Sequence, residues 1–184
     1  MNEDTSALND TPPDVVSAVR CNVRVEQTLM NTTKISIRQA VSAESDAVAA
    51  IARKSRSHFL PYLPDLHSFD DDKKFYRNSV FLECEVWVAI ENEHIIGFCA
   101  FQKGWVDHLY LLPTHVGRSI GESLLNKAKE SHDLLRLWVF QENKRAISFY
   151  ERNEFQKISE TDGSSNAEKA PDALYEWRRP TGTS

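Results

Sequence analysis

The sequence predicts a mixed α/β fold, one sheet carrying helices on its faces. Three observations lead to that expectation. Short apolar or alternating runs, the mark of strands, recur along the chain. Between them lie stretches whose apolar residues return every three or four positions, as on one face of a helix. The resulting order, β-α-α-β-β-β-α-β-α-β-β, contains no internal repeat, and such an order packs helices against a sheet.

The elements follow one by one. Ile35-Ser36-Ile37-Arg38 alternates apolar and polar, as a short strand does. Ser42 is placed as the N-cap of a helix with Glu44 and Asp46 in its first turn and Ala47, Val48, Ile51 and Ala52 as its apolar stripe. Pro61 and Pro64 break the chain, and a second helix is expected from Asp70 through Phe75 and Tyr76 toward Val80. Glu85 to Ile90 and Ile95 to Phe101 read as strands joined by the polar link Glu91-Asn92-Glu93-His94, a hairpin. Trp105 to Leu112 is a third strand of this group, stopped by Pro113. A helix from Gly117 to about Ser131, a strand from Leu135 to Phe140 and a helix from Lys144 to Arg152 come next. A strand near Phe155 to Ser159, a polar linker at Thr161 to Asn166 and a closing strand from Ala173 to Arg178 complete the order.

Residues 1–33 differ from the rest. They are rich in Asn, Asp, Thr and Ser, contain Pro12-Pro13, and show at most a marginal strand or turn at Asp14 to Val25. They are expected to form a flexible tail, with Met30 a candidate natural start, ahead of a folded domain over 34–180.

Composition sets limits on function. The chain has 184 residues, 41% of them apolar, enough for one domain with a real core. A net charge of -5 lacks the basic stripe of a nucleic-acid-binding surface and leans toward a cationic partner. Cys21, Cys84 and Cys99 are odd in number and without metal-ligand spacing, so free thiols in a reducing cytoplasm are expected, with no metal. The sequence has neither an apolar run long enough to span a membrane nor the start of a signal peptide. A cytoplasmic protein is expected, with a homodimer left open.

The chemistry is concentrated after Pro113. A strand ends at the proline, a loop follows with Gly117 and Gly121, and an amphipathic helix begins, anchored by Ile120, Leu124 and Leu125. Loop amides and the unpaired first-turn amides of such a helix point at one spot, where the helix dipole also favours an anion. Arg118 can add a cation. The dinucleotide-binding fingerprint fails here for want of three spaced glycines, and the P-loop for want of Gly-Lys-Ser/Thr.

This stretch resembles the acetyl-CoA-binding motif of the GNAT superfamily, Gln/Arg-x-x-Gly-x-Gly/Ala between a strand and a helix. Val116 takes the Gln/Arg position, Ser119 the glycine position and Gly121 the last small position, with Gly117 as the extra loop glycine. The run Asn143-Lys144-Arg145-Ala146-Ile147-Ser148-Phe149-Tyr150, ending Asn153-Glu154-Phe155, is similar to the family's second motif, with Glu154 where Gly is usual. That departure calls for some other way of closing the helix end. The segment from Glu168 to Trp177 is similar to a tail in bacterial members without assigned substrates.

The resemblance implies a mostly antiparallel sheet of about six to seven strands with about four helices. It also implies an acetyl-CoA-dependent N-acetyltransferase. Backbone of Val116, Gly117, Arg118, Ser119, Ile120 and Gly121 would hold the pyrophosphate, and backbone of Leu109, Tyr110 and Leu111 the pantetheine arm. Asn143 would cap its helix and touch that arm, and Tyr150 would be the general acid to the CoA thiolate. A phenol of pKa about 10 is a fair proton source for a thiolate of about 8.5. Phe149 and Tyr150 point to different faces, with Phe149 the better core residue.

A base for the acceptor amine is sought among Asp107, His108, Glu83 and Glu85, with Asp107 the choice. Asp107 and His108 fall on opposite faces of their strand, so at most one can look into the site. Phe59, Tyr62, Tyr175 and Trp177 are the candidate walls of the acceptor site, which would take a small-molecule or peptide amine. The alternative function is a catalytically weak or inactive CoA-binding sensor or interaction module, kept open by Val116, Ser119 and Glu154.

Overall fold

In the computed structural model, residues 34–181 are described. The expected tail, with Cys21, Met30 and the turn or strand at Asp14 to Val25, lies outside them. Strand β1 (Ser36–Gln39) leads through a single 3-10 turn into helix α1 (Ser45–Phe59). Helix α2 (Phe69–Phe75) runs into a π turn over Tyr76–Val80 and a last helical turn at Phe81–Glu83. Strands β2 (Glu85–Glu91), β3 (His94–Gln102) and β4 (Trp105–Leu111) follow. A 3-10 turn at Pro113–His115 precedes helix α3 (Ile120–Ser131), strand β5 (Leu134–Phe140) and helix α4 (Lys144–Arg152). Strands β6 (Gln156–Glu160) and β7 (Asp172–Arg178) close the chain.

The seven strands form one sheet in the order β1-β2-β3-β4-β5-β7-β6. All neighbours are antiparallel except β4 and β5, which pair in parallel at one position only, Trp105 with Arg136. Beyond that pair the two strands part. The rest of β4 therefore presents free backbone toward β5, a cleft in the middle of an otherwise continuous sheet.

Both faces of β3 are covered. Phe98 and Ala100 pack with Val48, Ala49 and Ala52 of α1 and with Tyr76 and Val80 of the π turn. Cys99 and Phe101 pack with Ile120, Leu124, Leu125 and Ala128 of α3 on the other side. Leu124 and Leu125 are fully buried, and truncating either to Ala should cost about 2–5 kcal/mol. The hairpin turn places Asn92 and Glu93 both at positive φ (49° and 66°), the two-residue geometry that follows strand twist.

Several local expectations are corrected. Ser42 is not the N-cap; Val41 caps the 3-10 turn, its amide donating to the Glu44 carboxylate at 2.9 Å, and Glu44 stands at the N-cap of α1. Ala47 is exposed and Ala49 takes its place in the stripe, because the helix proper starts only at Ser45. Helix α2 starts one residue early, capped by Ser68, whose hydroxyl accepts the Asp71 amide. Helix α3 begins at Ile120, so Gly117, Arg118 and Ser119 are loop. Cys84 and Cys99 are free, and burial pushes the Cys84 thiol up to about 12. Among the described residues no helix is long and apolar enough to cross a membrane.

Candidate active site

A cavity of about 560 Å³ opens where β4 and β5 part, between the end of α1, the start of α3 and one face of α4. Leu109, Tyr110 and Leu111 form its β4 wall. Val116, Gly117, Ser119 and Gly121 form its loop end, and Asn143, Phe149 and Tyr150 line the α4 side. Phe59 stands at the end of α1.

The loop end is built for an anion. From Gly117 to Glu122 no backbone amide finds a backbone acceptor among the described residues; the first that does is Ser123, to Ser119 O at 3.0 Å. These amides start a twelve-residue helix, where donors and dipole both favour negative charge. Gly117 has φ +80°, and a Cβ added there would meet nothing within 4 Å, so the loop is open to the cavity. Ser119 adopts φ 56°, the left-handed conformation in which glycine is at ease. At Gly121 an added Cβ would meet Leu111 at 3.3 Å and Phe149 at 3.4 Å, which is how α3 comes so close to β4 and α4.

Helix α4 sets the other wall. The Asn143 side chain caps it, accepting the Ala146 amide at 3.1 Å. Tyr150 is buried (9% exposed) against Phe149 and Phe155, while its hydroxyl makes no hydrogen bond among the described residues. Burial pushes this phenol above the ordinary tyrosine range, so it stays protonated. The division of roles with Phe149 is corrected: Tyr150 is the more buried of the two, and both line the cavity. Glu154 needs no substitute for glycine, since it adopts φ 68° itself.

Other candidates are placed elsewhere. Arg118 does not face the cavity; its guanidinium donates to Glu91 at 2.6 Å, and His115 Nε2 lies 2.9 Å from the other Glu91 oxygen. Those two partners hold the Glu91 carboxyl below its ordinary range. Ile120 is core, 3% exposed. Tyr175 and Trp177 are buried in the core beneath α3 and α4, because β7 is an interior strand between β5 and β6. The Tyr175 hydroxyl donates to Glu151 at 3.2 Å. Tyr62 lies exposed in the loop after α1 and lines no part of the cavity.

Asp107 is also displaced. A register shift between Ala100 and Phe101 makes it the extra residue of a bulge in β4. Its carboxylate accepts from Gln102 at 2.9 Å and contacts Cys84 Sγ at 3.4 Å, outside the cavity. The bulge also undoes strict alternation, since His108 packs with Phe75 and Tyr76 on the side from which Cys84 comes. His108 lines a second cavity of about 270 Å³, which shares the lining residue Tyr110 with the first. Burial drops its imidazole to about 4, with Asp107 opposing and Arg56 reinforcing the shift, so it is neutral at pH 7.

Residues beyond the sequence-based candidates also line the first cavity, among them Ser55, Glu122, Arg145, Arg152 and Asn153. The Arg145 guanidinium lies 4.8 Å from the Phe59 ring centroid. Their signal was available in part: Arg145, Phe149 and Arg152 share one helical face with the spacing that places Tyr150 beside it.

The fold and parts of the sequence have known counterparts. Residues 83–157 match the acetyltransferase (GNAT) domain family. The peptidyl-lysine N-acetyltransferase YiaC of Escherichia coli K12 is 27% identical over 123 residues, covering 66% of this chain and 84% of its own. The PaiA N-acetyltransferase of Thermoplasma acidophilum, solved in complex with coenzyme A, superposes with a TM-score of 0.64 at 23% identity, over 79% of this chain and 99% of that one. YncA of Salmonella typhimurium, solved with acetyl-CoA, gives 0.63 at 17% identity, over 82% and 97%.

Proposed function

We propose that this chain, which belongs to the GNAT superfamily of acetyltransferases, moves the acetyl group of acetyl-CoA to a primary amine by direct attack in a ternary complex. The observation that carries the reading is the cleft itself. On its β5 side the β4 backbone is unpaired beyond Trp105, and it leads to a loop of free amides, with Tyr150 on the opposite wall.

Acetyl-CoA fits those residues: its elongated pantetheine arm matches an open strand edge, and its pyrophosphate matches the amides around Gly117 to Gly121. When bound it supplies an activated thioester, whose carbon–sulfur bond breaks as the amine's carbon–nitrogen bond forms.

The chain's own groups then have three tasks. Backbone amides of Leu109 to Leu111 hold the donor in register and offer a hydrogen bond to oxygen charge that develops on the carbonyl. The Tyr150 hydroxyl, protonated and without an internal partner, gives its proton to the sulfur that leaves. Its phenolate is restored by the proton that the amine nitrogen gives up, by way of solvent. Asp107, bound to Gln102 and Cys84, is not retained as the base.

The competing reading of a CoA-binding sensor drew on Val116, Ser119 and Glu154. With those residues in place, the loop still holds its left-handed turn at Ser119 and the helix end still holds one at Glu154. The test is calorimetric titration with acetyl-CoA, followed by thiol release in the presence of amines. Saturable binding with amine-dependent release supports the enzyme; binding without release against a broad amine panel would favour the sensor.

A further inference from the structure

The second cavity is electrically uneven, and that unevenness names a substrate class. It shares the lining residue Tyr110 with the first cavity. At the Tyr110 end the wall is neutral overall: Arg56 donates to Glu168 at 3.1 Å, and the uncharged His108 ring makes no hydrogen bond among the described residues. At the other end three carboxylates, Asp65, Asp71 and Asp72, face a single guanidinium. Arg53 donates to Asp65 at 2.5 Å and to Asp72 at 2.6 Å, and Lys74 lies near Asp71 without lining the cavity, so the lining at this end keeps an excess of negative charge. Arg53 and Arg56 are one turn apart on α1, about 4.5 Å of helix axis, so their side chains mark two successive positions along the cavity.

An amine attacks only when neutral, and the neutral end is the one that carries Tyr110, the residue shared with the donor cavity. The acidic end lies further along the same cavity and is matched by a second positive charge. We infer that the acceptor is an alkylamine carrying a second cationic group, of the α,ω-diamine class. Its reacting nitrogen lies by His108 and Tyr110, and its distal cation lies among Asp65, Asp71 and Asp72. The inference rests on the first cavity being the acetyl-CoA site.

The experiment compares cadaverine, n-pentylamine and the ω-amino acid of the same length as acceptors, with acetyl-CoA binding measured separately by calorimetry. A hydrogen-bonded ion pair at the acidic end should raise kcat/KM for cadaverine at least about tenfold over pentylamine. The ω-amino acid should be the poorest. Asp65→Asn combined with Asp72→Asn should bring the cadaverine-to-pentylamine ratio toward one. Asp65→Asn alone should move it the same way, and its exposed loop position makes it safe for folding. Equal rates for the two amines, a preference for the ω-amino acid, or acetyl-CoA binding with no acetylation of any of the three would overturn the inference alone. Absence of acetyl-CoA binding would overturn the reading on which it rests.

Discussion

The amide of Phe155 donates to the carbonyl of Tyr150 at 3.0 Å, and Glu154 donates to Glu151 at the same distance. Together with the Tyr150–Phe155 ring contact at 5.7 Å, these bonds form a Schellman closure of helix α4. The residue in its left-handed position is Glu154, at φ 68°, where a side chain is strained.

Glu154→Gly should therefore stabilise the protein by about 1 kcal/mol, because glycine adopts that conformation without the Cβ conflict. A rise of about 2–4 °C in Tm is expected for a chain of this size. An unchanged or lower Tm would mean that unfolded-state entropy or an unseen Glu154 contact outweighs the strain.

Gly117→Asp should weaken acetyl-CoA binding. Asp tolerates a positive φ, so the loop can keep its shape while a carboxylate stands where the amides gather. Gly117→Asn is the neutral control of the same shape. Calorimetry should show a Kd about tenfold higher for Asp than for Asn, the expected scale of a nearby like charge in a partly desolvated site. Equal affinities would remove the pyrophosphate from this loop.

His108 should make stability depend on pH. Its folded-state value, about 4, lies below the ordinary 6.5. As pH falls through 6.5 the unfolded chain takes up a proton that the folded chain refuses, so stability declines from about pH 6.5 to about pH 4. The charges around it are Asp107, which opposes the shift, and Arg56, which supports it. The loss is on the order of 3 kcal/mol at most. Urea unfolding of the protein and of His108→Gln at pH 7 and pH 5 should show the smaller loss in the variant. Equal losses would place the titration elsewhere.

The order of elements was legible because each strand and helix writes its period into the chain, and the loop and α4 motifs sit where the residues placed them. What was not legible depends on partners distant in sequence. Asp107 is turned away by a bulge that only the pairing of β4 with β3 defines. Arg118 is taken by Glu91, across the hairpin-forming strand β2, 27 positions earlier. Tyr175 and Trp177 read as possible walls because aromatic residues suit both a pocket and a core; the pairing of β7 on both edges decides for the core. Ser119 and Glu154 were read as departures from glycine, and the backbone holds the glycine conformation at both.

Tyr150→Phe separates catalysis from structure. The hydroxyl makes no hydrogen bond among the described residues, so its removal deletes no internal bond, and the ring keeps its packing against Phe149 and Phe155. Tm should hold or rise slightly, since a polar group leaves a buried site. The KM for acetyl-CoA should stay within about twofold, because the loop amides and the β4 edge are untouched. Turnover should fall at least about tenfold, with the sulfur left to take its proton from water. The loss should be smallest with a thioester whose thiol is more acidic, because such a thiolate leaves without help. Steady-state rates on acetyl-CoA and on an aryl thioester of acetate would measure this. An equal loss on both, or no loss on either, would assign the proton to another donor and leave Tyr150 as a wall of the cavity.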